Sequence, residues 1–390
     1  MLKCKVIGVG AAGNKAVIEA VEKGVITTND ILLLNSTMKD IPSKYNNVAM
    51  LLSDDIEGCG KEREVGKEIG REWLEANRNK LGSLIGDSDF TMVVTSSEGG
   101  TGCGASVEIA KVISEADIPV FMTIFTGFEE DARGLQNTLE LFNDMSDSYT
   151  IQVISNKKFL VNNNKLKAEK DANLEFANNL AILIGSPIRD SEQNIDDTDL
   201  SKIVDNPGYT VVEYKEVDNI KNVEQFNQII KDMIDNSKSL DTTPTCTRMG
   251  VILNISDKSK AFIDYEFNQL KEYYGNPYEL FTHVQYDESL PEFIAFIVSG
   301  LKMPKDEIQK ILGKFNELSN NISDDNDSFF DNKLEIKGKN KFNNGRRRRK
   351  RISGSNPFLK ENLEKPSIAL KEEDKDVLGF TPNPIGKKNN

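Results

Sequence analysis

The stretch that decides the reading is "TSSEGGTGCGAS", residues 95–106, which follows the apolar run "FTMVV" and precedes a helical pattern. Gly99, Gly100, Gly102 and Gly104 let a strand turn sharply into a helix with successive backbone N–H groups facing one way, and Thr101 and Ser106 add hydroxyls. Such a nest at a helix N-terminus suits a polyphosphate. No G-x-x-x-x-G-K-[ST] run occurs in the chain, so this is not a Walker loop. A plain glycine hinge is the bland alternative, and the strand before and helix after weigh against it.

A second glycine turn lies near the start of the sequence. In "KVIGVGAAGNKAV", residues 5–17, Gly8, Gly10 and Gly13 have the G-x-G-x-x-G spacing of a Rossmann dinucleotide turn. A nicotinamide site needs an acid about 20 positions on, at the end of the second strand. Here that strand ends in "LLLNST", with Asn35, Ser36 and Thr37. An NAD-dependent oxidoreductase therefore accounts for the opening turn and nothing more.

The chain has 390 residues, 38% of them hydrophobic, which is enough for about two domains and a tail. Cys4, Cys59, Cys103 and Cys246 are far apart and His283 is the only histidine, so neither disulfide pairs nor metal-ligand spacings are suggested. A histidine-based nucleophilic triad is disfavoured for the same reason, and His283 is expected to be a packed or surface residue. No leader and no membrane span are expected, so the predicted location is a reducing cytoplasm. A net charge of −13 argues against the folded body being a general nucleic-acid binder.

Along residues 1–164, short apolar runs alternate with amphipathic stretches, the rhythm of a mostly parallel sheet covered by helices. "CKVIGV", "DILLLNS", "FTMVVTS", "IPVFMTIF" and "YTIQVIS" are the predicted strands, and the first four read as buried on both faces. Residues 61–77 and 105–116 read as helices. A long helix is predicted over residues 165–184, with Leu174, Ala177, Ala181 and Ile184 on one face and Leu180 and Leu183 widening it. Residues 165–204 thus hold a central helix and a following loop. A second, α+β domain over 205–318 offers "GYTVVEYK", "MGVILNIS", "FTHVQYD" and "FIAFIVSGL" as strands, with helices at 223–237 and 259–274. Residues 319–390 are rich in Asn, Asp, Lys, Gly and Ser and are expected to form a disordered tail, within which "RRRRKR" stands out.

"EGGTGCGAS" resembles the G-G-G-T-G-[TS]-G signature of the tubulin/FtsZ superfamily, from which it departs at Glu98 and Cys103. The resemblance runs in order along about the first 310 residues. It implies a GTP-binding site holding GTP or GDP, with Mg²⁺ on the phosphates through water rather than on direct protein ligands. By residue, it implies that Gly10, Ala11, Gly13 and Asn14 meet phosphate and sugar, as do Gly99, Gly100, Thr101, Gly102, Cys103 and Gly104 of the second turn. Asn35 would begin the loop after the second strand. "EGCGKEREVG", residues 57–66, resembles the γ-phosphate-sensing loop, with Gly58 and Gly60 in its tight part. "GFEEDARGL" resembles the F-E-G-x-x-R loop, putting Glu129 on the ribose and Arg133 on base or phosphates, with Glu130 in place of the glycine. Asn156 and Asn173 would face guanine. Singly, Asn35, Asn156 and Asn173 read as strand-end turns or helix caps; their order and spacing raise them together.

"NIDDTDLSKIV" carries Asn194, Asp196 and Asp199 as N-x-D-x-x-D. On its own this is an N-cap cluster, with acids answering free N–H groups at the start of a helix. The resemblance reverses that preference: it implies a catalytic loop that enters the nucleotide site of the next subunit, where two carboxylates polarise a water toward the γ-phosphate.

Within the superfamily the chain looks most like the plasmid- and phage-borne TubZ branch, which implies homopolymer filaments segregating plasmid or phage DNA through a DNA-binding adaptor at a centromere. An FtsZ-type cell-division filament is the alternative. The cations Arg346, Arg347, Arg348, Arg349, Lys350 and Arg351 fit contact with DNA or an acidic adaptor, and equally well a solvated linker. A membrane surface ranks third because no apolar face accompanies them.

Overall fold

The computed structural model describes residues 1–191 and 194–320, so the expectations for 321–390, including the cluster from Arg346 to Arg351, lie outside the described residues. The strands are β1 (Cys4–Val9), β2 (Ile31–Asn35), β3 (Ala49–Leu51), β4 (Phe90–Ser96), β5 (Val120–Thr126), β6 (Thr150–Ser155), β7 (Gly208–Glu216), β8 (Arg248–Asn254), β9 (Glu279–Gln285) and β10 (Phe293–Leu301). The helices are α1 (Gly10–Glu22), α2 (Arg63–Ile85), α3 (Thr101–Glu115), α4 (Ala132–Asp144), α5 (Lys165–Leu183), α6 (Asp197–Val204), α7 (Val223–Asp235), α8 (Asp257–Lys260), α9 (Asn268–Tyr274) and α10 (Lys305–Asn320).

Ten strands make one sheet in the order β3-β2-β1-β4-β5-β6-β7-β10-β8-β9. The first seven are parallel, β10 runs antiparallel between β7 and β8, and β9 lies parallel to β8. The apolar runs of β2 and β5 are buried at every position, as helices on both faces require. Strands expected in a second domain thus extend the first sheet, joined to it where β6 meets β7 through Thr150–Gly208 and Ile151–Tyr209. One face packs Trp73 of α2, Ile113 of α3, Leu139 of α4, Phe226 of α7 and Phe315 of α10. The other packs Val17 of α1, Phe176 and Leu180 of α5, and Ile203 of α6.

Strand order reverses at β1, which has β2 on one side and β4 on the other. In an open α/β sheet that switch point, beyond the carboxyl ends of the strands, is where a ligand crevice forms.

Several expected elements differ. Helix α2 continues from 77 to Ile85 because Leu81 and Ile85 return to the core face after a polar turn. The helix expected over 259–274 is broken into α8 and α9, since Phe267 is buried and held at a left-handed φ of 48°. In α5 the buried face runs through Phe176, Ala177, Leu180 and Leu183, whereas Leu174, expected on it, is exposed. Helix α10 extends to Asn320, two residues into the segment expected to be tail, and α4 and α10 are additions to the expected helices. No helix among the described residues is long and apolar enough to cross a membrane.

Candidate functional site

Both glycine turns sit at the switch point. Gly10 leaves β1 at φ 77° and starts α1, and a Cβ there would lie 2.9 Å from the backbone of Gly102. The two turns therefore touch backbone to backbone, with the N-termini of α1 and α3 facing the same space. That space is a cavity of about 390 Å³, the size of a small-molecule site. Of the residues singled out in the sequence, Gly10, Ala11, Asn35, Gly58, Gly99, Gly100, Thr101, Gly102, Asn156 and Asn173 line it. Ala12, Lys15, Ser36, Thr37, Asp40, Ser96, Phe125 and Glu169 line it too. The loop after β2 is braced into the cavity: Ser36 Oγ lies 2.9 Å from Thr101 Oγ1, and Asn35 Nδ2 donates to Asp40 Oδ2 at 3.3 Å. Gly58 and Gly60 have φ of 83° and 54° with open space at their Cβ positions, so backbone conformation and not crowding calls for glycine there.

Other residues singled out in the sequence stand behind the cavity or beside it. Gly13 and Gly104 are packing positions: a Cβ would lie 2.1 Å from the Val94 carbonyl oxygen and 2.2 Å from that of Arg63. Asn14 is fully buried and donates to the Leu34 carbonyl at 3.1 Å, fastening α1 to β2. Cys103 is buried, its thiol donates to the Asn137 carbonyl at 3.4 Å, and burial pushes its pKa up to about 12. Gly60 lies in the loop but does not line the cavity. The Glu129 carboxylate, expected on a ribose, instead accepts from Lys157 at 2.7 Å and Lys314 at 3.2 Å. Burial would raise its pKa, but these two lysines outweigh burial and hold it below the usual value. The Glu129 N–H donates to Glu98, a carboxylate whose own pKa burial raises. Arg133 pairs with Glu62 and donates from Nε to the Lys61 carbonyl at 3.3 Å.

The cluster of Asn194, Asp196 and Asp199 lies elsewhere. Asp196 caps α6, its Oδ1 accepting from the Asp199 N–H at 2.8 Å, and Asp199 has Lys202 at 3.5 Å. Asn194 and Asp196 are exposed. The Met1 nitrogen is 2.7 Å from Asp197, which places α6 at the amino end of β1, opposite the cavity. His283 is fully buried beneath this loop and accepts the Ile195 N–H on Nδ1 at 3.3 Å, while Nε2 meets Gln285 Oε1 at 2.6 Å. Burial lowers its pKa, keeping the ring neutral and the acceptor in place. A lone histidine in the sequence carried no signal of this bracing role.

Residues 3–164, which contain both glycine turns and the 58–61 loop, match the Tubulin/FtsZ family, GTPase domain. Over this segment the chain is similar to the GTPase domain of the tubulin/FtsZ superfamily. It is 33% identical over 181 residues to "Cell division protein FtsZ" of Aquifex aeolicus, covering 44% of this chain and 46% of that one. It is 23% identical over 232 residues to "Tubulin-like protein TubZ" of Clostridium botulinum C phage, covering 58% and 63%. The chain thus spans less than two thirds of the length of these curated relatives. In fold it resembles Clostridium botulinum phage c-st TubZ, with a TM-score of 0.67 and 19% identity over 82% of this chain and 98% of that one. It also resembles CetZ1 from Haloferax volcanii in a GDP-bound monomer, with a TM-score of 0.64 and 19% identity over 82% of this chain and 100% of that one. At these identities the likeness is one of fold.

Proposed function

We propose that this chain is a tubulin/FtsZ-type GTPase that polymerises, binding GTP in the cavity between the glycine turns and hydrolysing it with acids from the next copy in a filament. The observation that carries this reading is the separation of its two parts. The phosphate nest opens at the carboxyl ends of β1 and β4, whereas Asp196 and Asp199 stand at the amino end of β1. One copy stacked on another brings them together. Backbone N–H groups at the starts of α1 and α3 hold the phosphates, and Asn156 and Asn173 reach the base. Asp196 and Asp199 orient a water in line with the γ-phosphorus and take its proton as the β–γ bridging P–O bond breaks. Mg²⁺ would accompany the phosphates through water, with Asp40, Ser36 and Thr101 offering oxygen atoms in the cavity to that water.

Likeness to a phage TubZ supports the finer reading of a filament that segregates plasmid or phage DNA through an adaptor bound at a centromere, in the cytoplasm. The cell-division alternative draws on the likeness to FtsZ. Co-precipitation with adaptor-loaded DNA, as against a membrane anchor, separates the two.

GTP-dependent sedimentation with phosphate release tests the chemistry on wild type and Asp199→Ala. The variant is expected to bind GTP and assemble yet lose a factor of roughly 10² to 10⁴ in turnover. Unchanged turnover in the variant, or no response to GTP in either protein, overturns the reading.

A further inference from the structure

Helix α4 carries one side chain that ties two glycine loops together from behind the cavity. Asn137 is fully buried. Its Nδ2 donates to the Lys61 carbonyl at 2.9 Å and to the carbonyls of Glu98 and Gly99 at 3.3 Å each. A primary amide has two N–H bonds, so Lys61 takes one and the two longer acceptors share the other. Lys61 follows Gly58 and Gly60, and all three are left-handed, with φ of 83°, 54° and 65°. Of the three only Lys61 has a side chain, and such a residue keeps that conformation where its surroundings over-determine it. Arg133 Nε reaches the same carbonyl at 3.3 Å. The loops also touch directly: a Cβ on Gly100 would lie 2.9 Å from Glu62 N and 3.0 Å from the Lys61 carbonyl carbon.

We propose that Asn137 is a positioning residue that clamps the 58–61 loop onto Gly99 and Gly100, so that both loops meet the terminal phosphate of a bound nucleoside triphosphate in one fixed arrangement. This rests on reading the cavity as a GTP site. Asn137 does not line the cavity and acts on the ligand through the backbone of the residues it holds. An aspartate there keeps the size but removes both donors and sets a carboxylate against three carbonyl oxygens, leaving buried acceptors without partners.

The cysteines supply a local readout, because Cys4, Cys59, Cys103 and Cys246 are all free and buried and Cys59 sits in the clamped loop. Pulsed alkylation of the full chain, read peptide by peptide by mass spectrometry, compares wild type with Asn137→Asp. Cys59 is expected to react about 10-fold faster in the variant, with Cys4 and Cys246 changed less than about twofold, and phosphate release is expected to fall about 10-fold while GDP affinity holds. A uniform rise at all four thiols, or an unchanged Cys59, overturns the clamp. If Asn137→Asp does not fold, Arg133→Met removes the second donor to Lys61 from the surface. It must then expose Cys59 selectively, to a smaller degree, and no change there overturns the proposal as well. GTP binding to wild type, measured alongside, separates the two ideas: its absence defeats the GTP reading, whereas the Cys59 pattern alone decides the clamp.

Discussion

The backbone N–H of Leu2 donates to the carbonyl of Ile184 at 2.9 Å, joining the entrance of β1 to the exit of α5. Helix α5 has 19 residues, about 28 Å at 1.5 Å per residue. Glu169 and Asn173 in its first half line the cavity, and the chain leaving its far end turns into the acidic loop. The nest and the acids are therefore held at opposite poles by one rigid rod and one central strand.

Two variants, each strongly impaired alone, should complement one another. Gly99 lines the cavity and has only Ser96 Oγ, at 3.7 Å, near its Cβ position, so Gly99→Asp places a negative charge in the phosphate nest without crowding the fold. Asp199→Ala leaves that nest intact. Mixed, an intact cavity on one copy can meet intact acids on another. Phosphate release at equimolar mixing should exceed the sum of the two proteins assayed apart. A strictly additive rate would place the acids and the cavity in one copy, contrary to their separation.

The central sheet was legible because strands buried on both faces leave near-continuous apolar runs, in the parallel strands β2 and β5 and equally in antiparallel β10, whose run from Phe293 to Leu301 has the bounds of the strand. The two glycine turns were legible because bare backbone has few other uses after a strand and before a helix. Helix α4 was harder to see, since "ARGLQNTLELFND" follows an acidic loop and mixes polar residues into its buried face, Asn137 and Thr138 among them. The side chains around the cavity show the same limit. Ser36 matters through Thr101, 65 residues away, and Asn137 through Lys61, 76 residues away. Neither has a local spacing that announces it, because the partner is supplied by the fold. The acidic loop is the converse: Asp196 serves visibly as an N-cap within the chain, and the catalytic role proposed for it would need another copy.

Arg63 should depend on Asp144. The Arg63 side chain is only 3% exposed, pairs with Asp144 and has Glu64 at 3.4 Å and Glu140 at 3.8 Å, while Lys67 reaches Asp144 at 2.8 Å. Burial would raise the Asp144 pKa, but the bonds from Lys67 and Arg63 outweigh it and hold the carboxyl below its usual 3.8. Removing one partner of a buried pair strands the other, so Asp144→Ala should cost about 3 kcal/mol in denaturant unfolding at neutral pH. A depressed carboxyl contributes stability that is present above its unfolded pKa and lost as pH falls through the folded one. The gap between variant and wild type should hold at pH 7 and 5 and close below the usual 3.8. Equal midpoints at pH 7 would show that Glu64 and Glu140 suffice.

Glu213 should act in the opposite direction. It is 7% exposed on β7 and bonded by Ser237 Oγ. Burial first, and then the Glu175 carboxylate of α5, push its pKa up to about 8, against the smaller pull of Ser237, Lys158 and Lys238. Glu175 is itself raised to about 7, chiefly by burial. The folded state therefore binds a proton that the unfolded chain has released, and stability falls as pH rises from the usual 4.5 to about 8 before levelling. Glu213→Gln keeps the neutral shape without the titration. The variant should match wild type near pH 4.5 and exceed it at pH 8 by on the order of 4 kcal/mol in urea unfolding, with the slope on denaturant unchanged. Because the variant also removes a like charge from Glu175, the remaining fall should centre on a lower pH than in wild type. Parallel stability profiles for the two proteins across this range would mean that water or a shift of α5 solvates the carboxylates, and would remove the buried acid pair as a determinant of how α5 seats on β7.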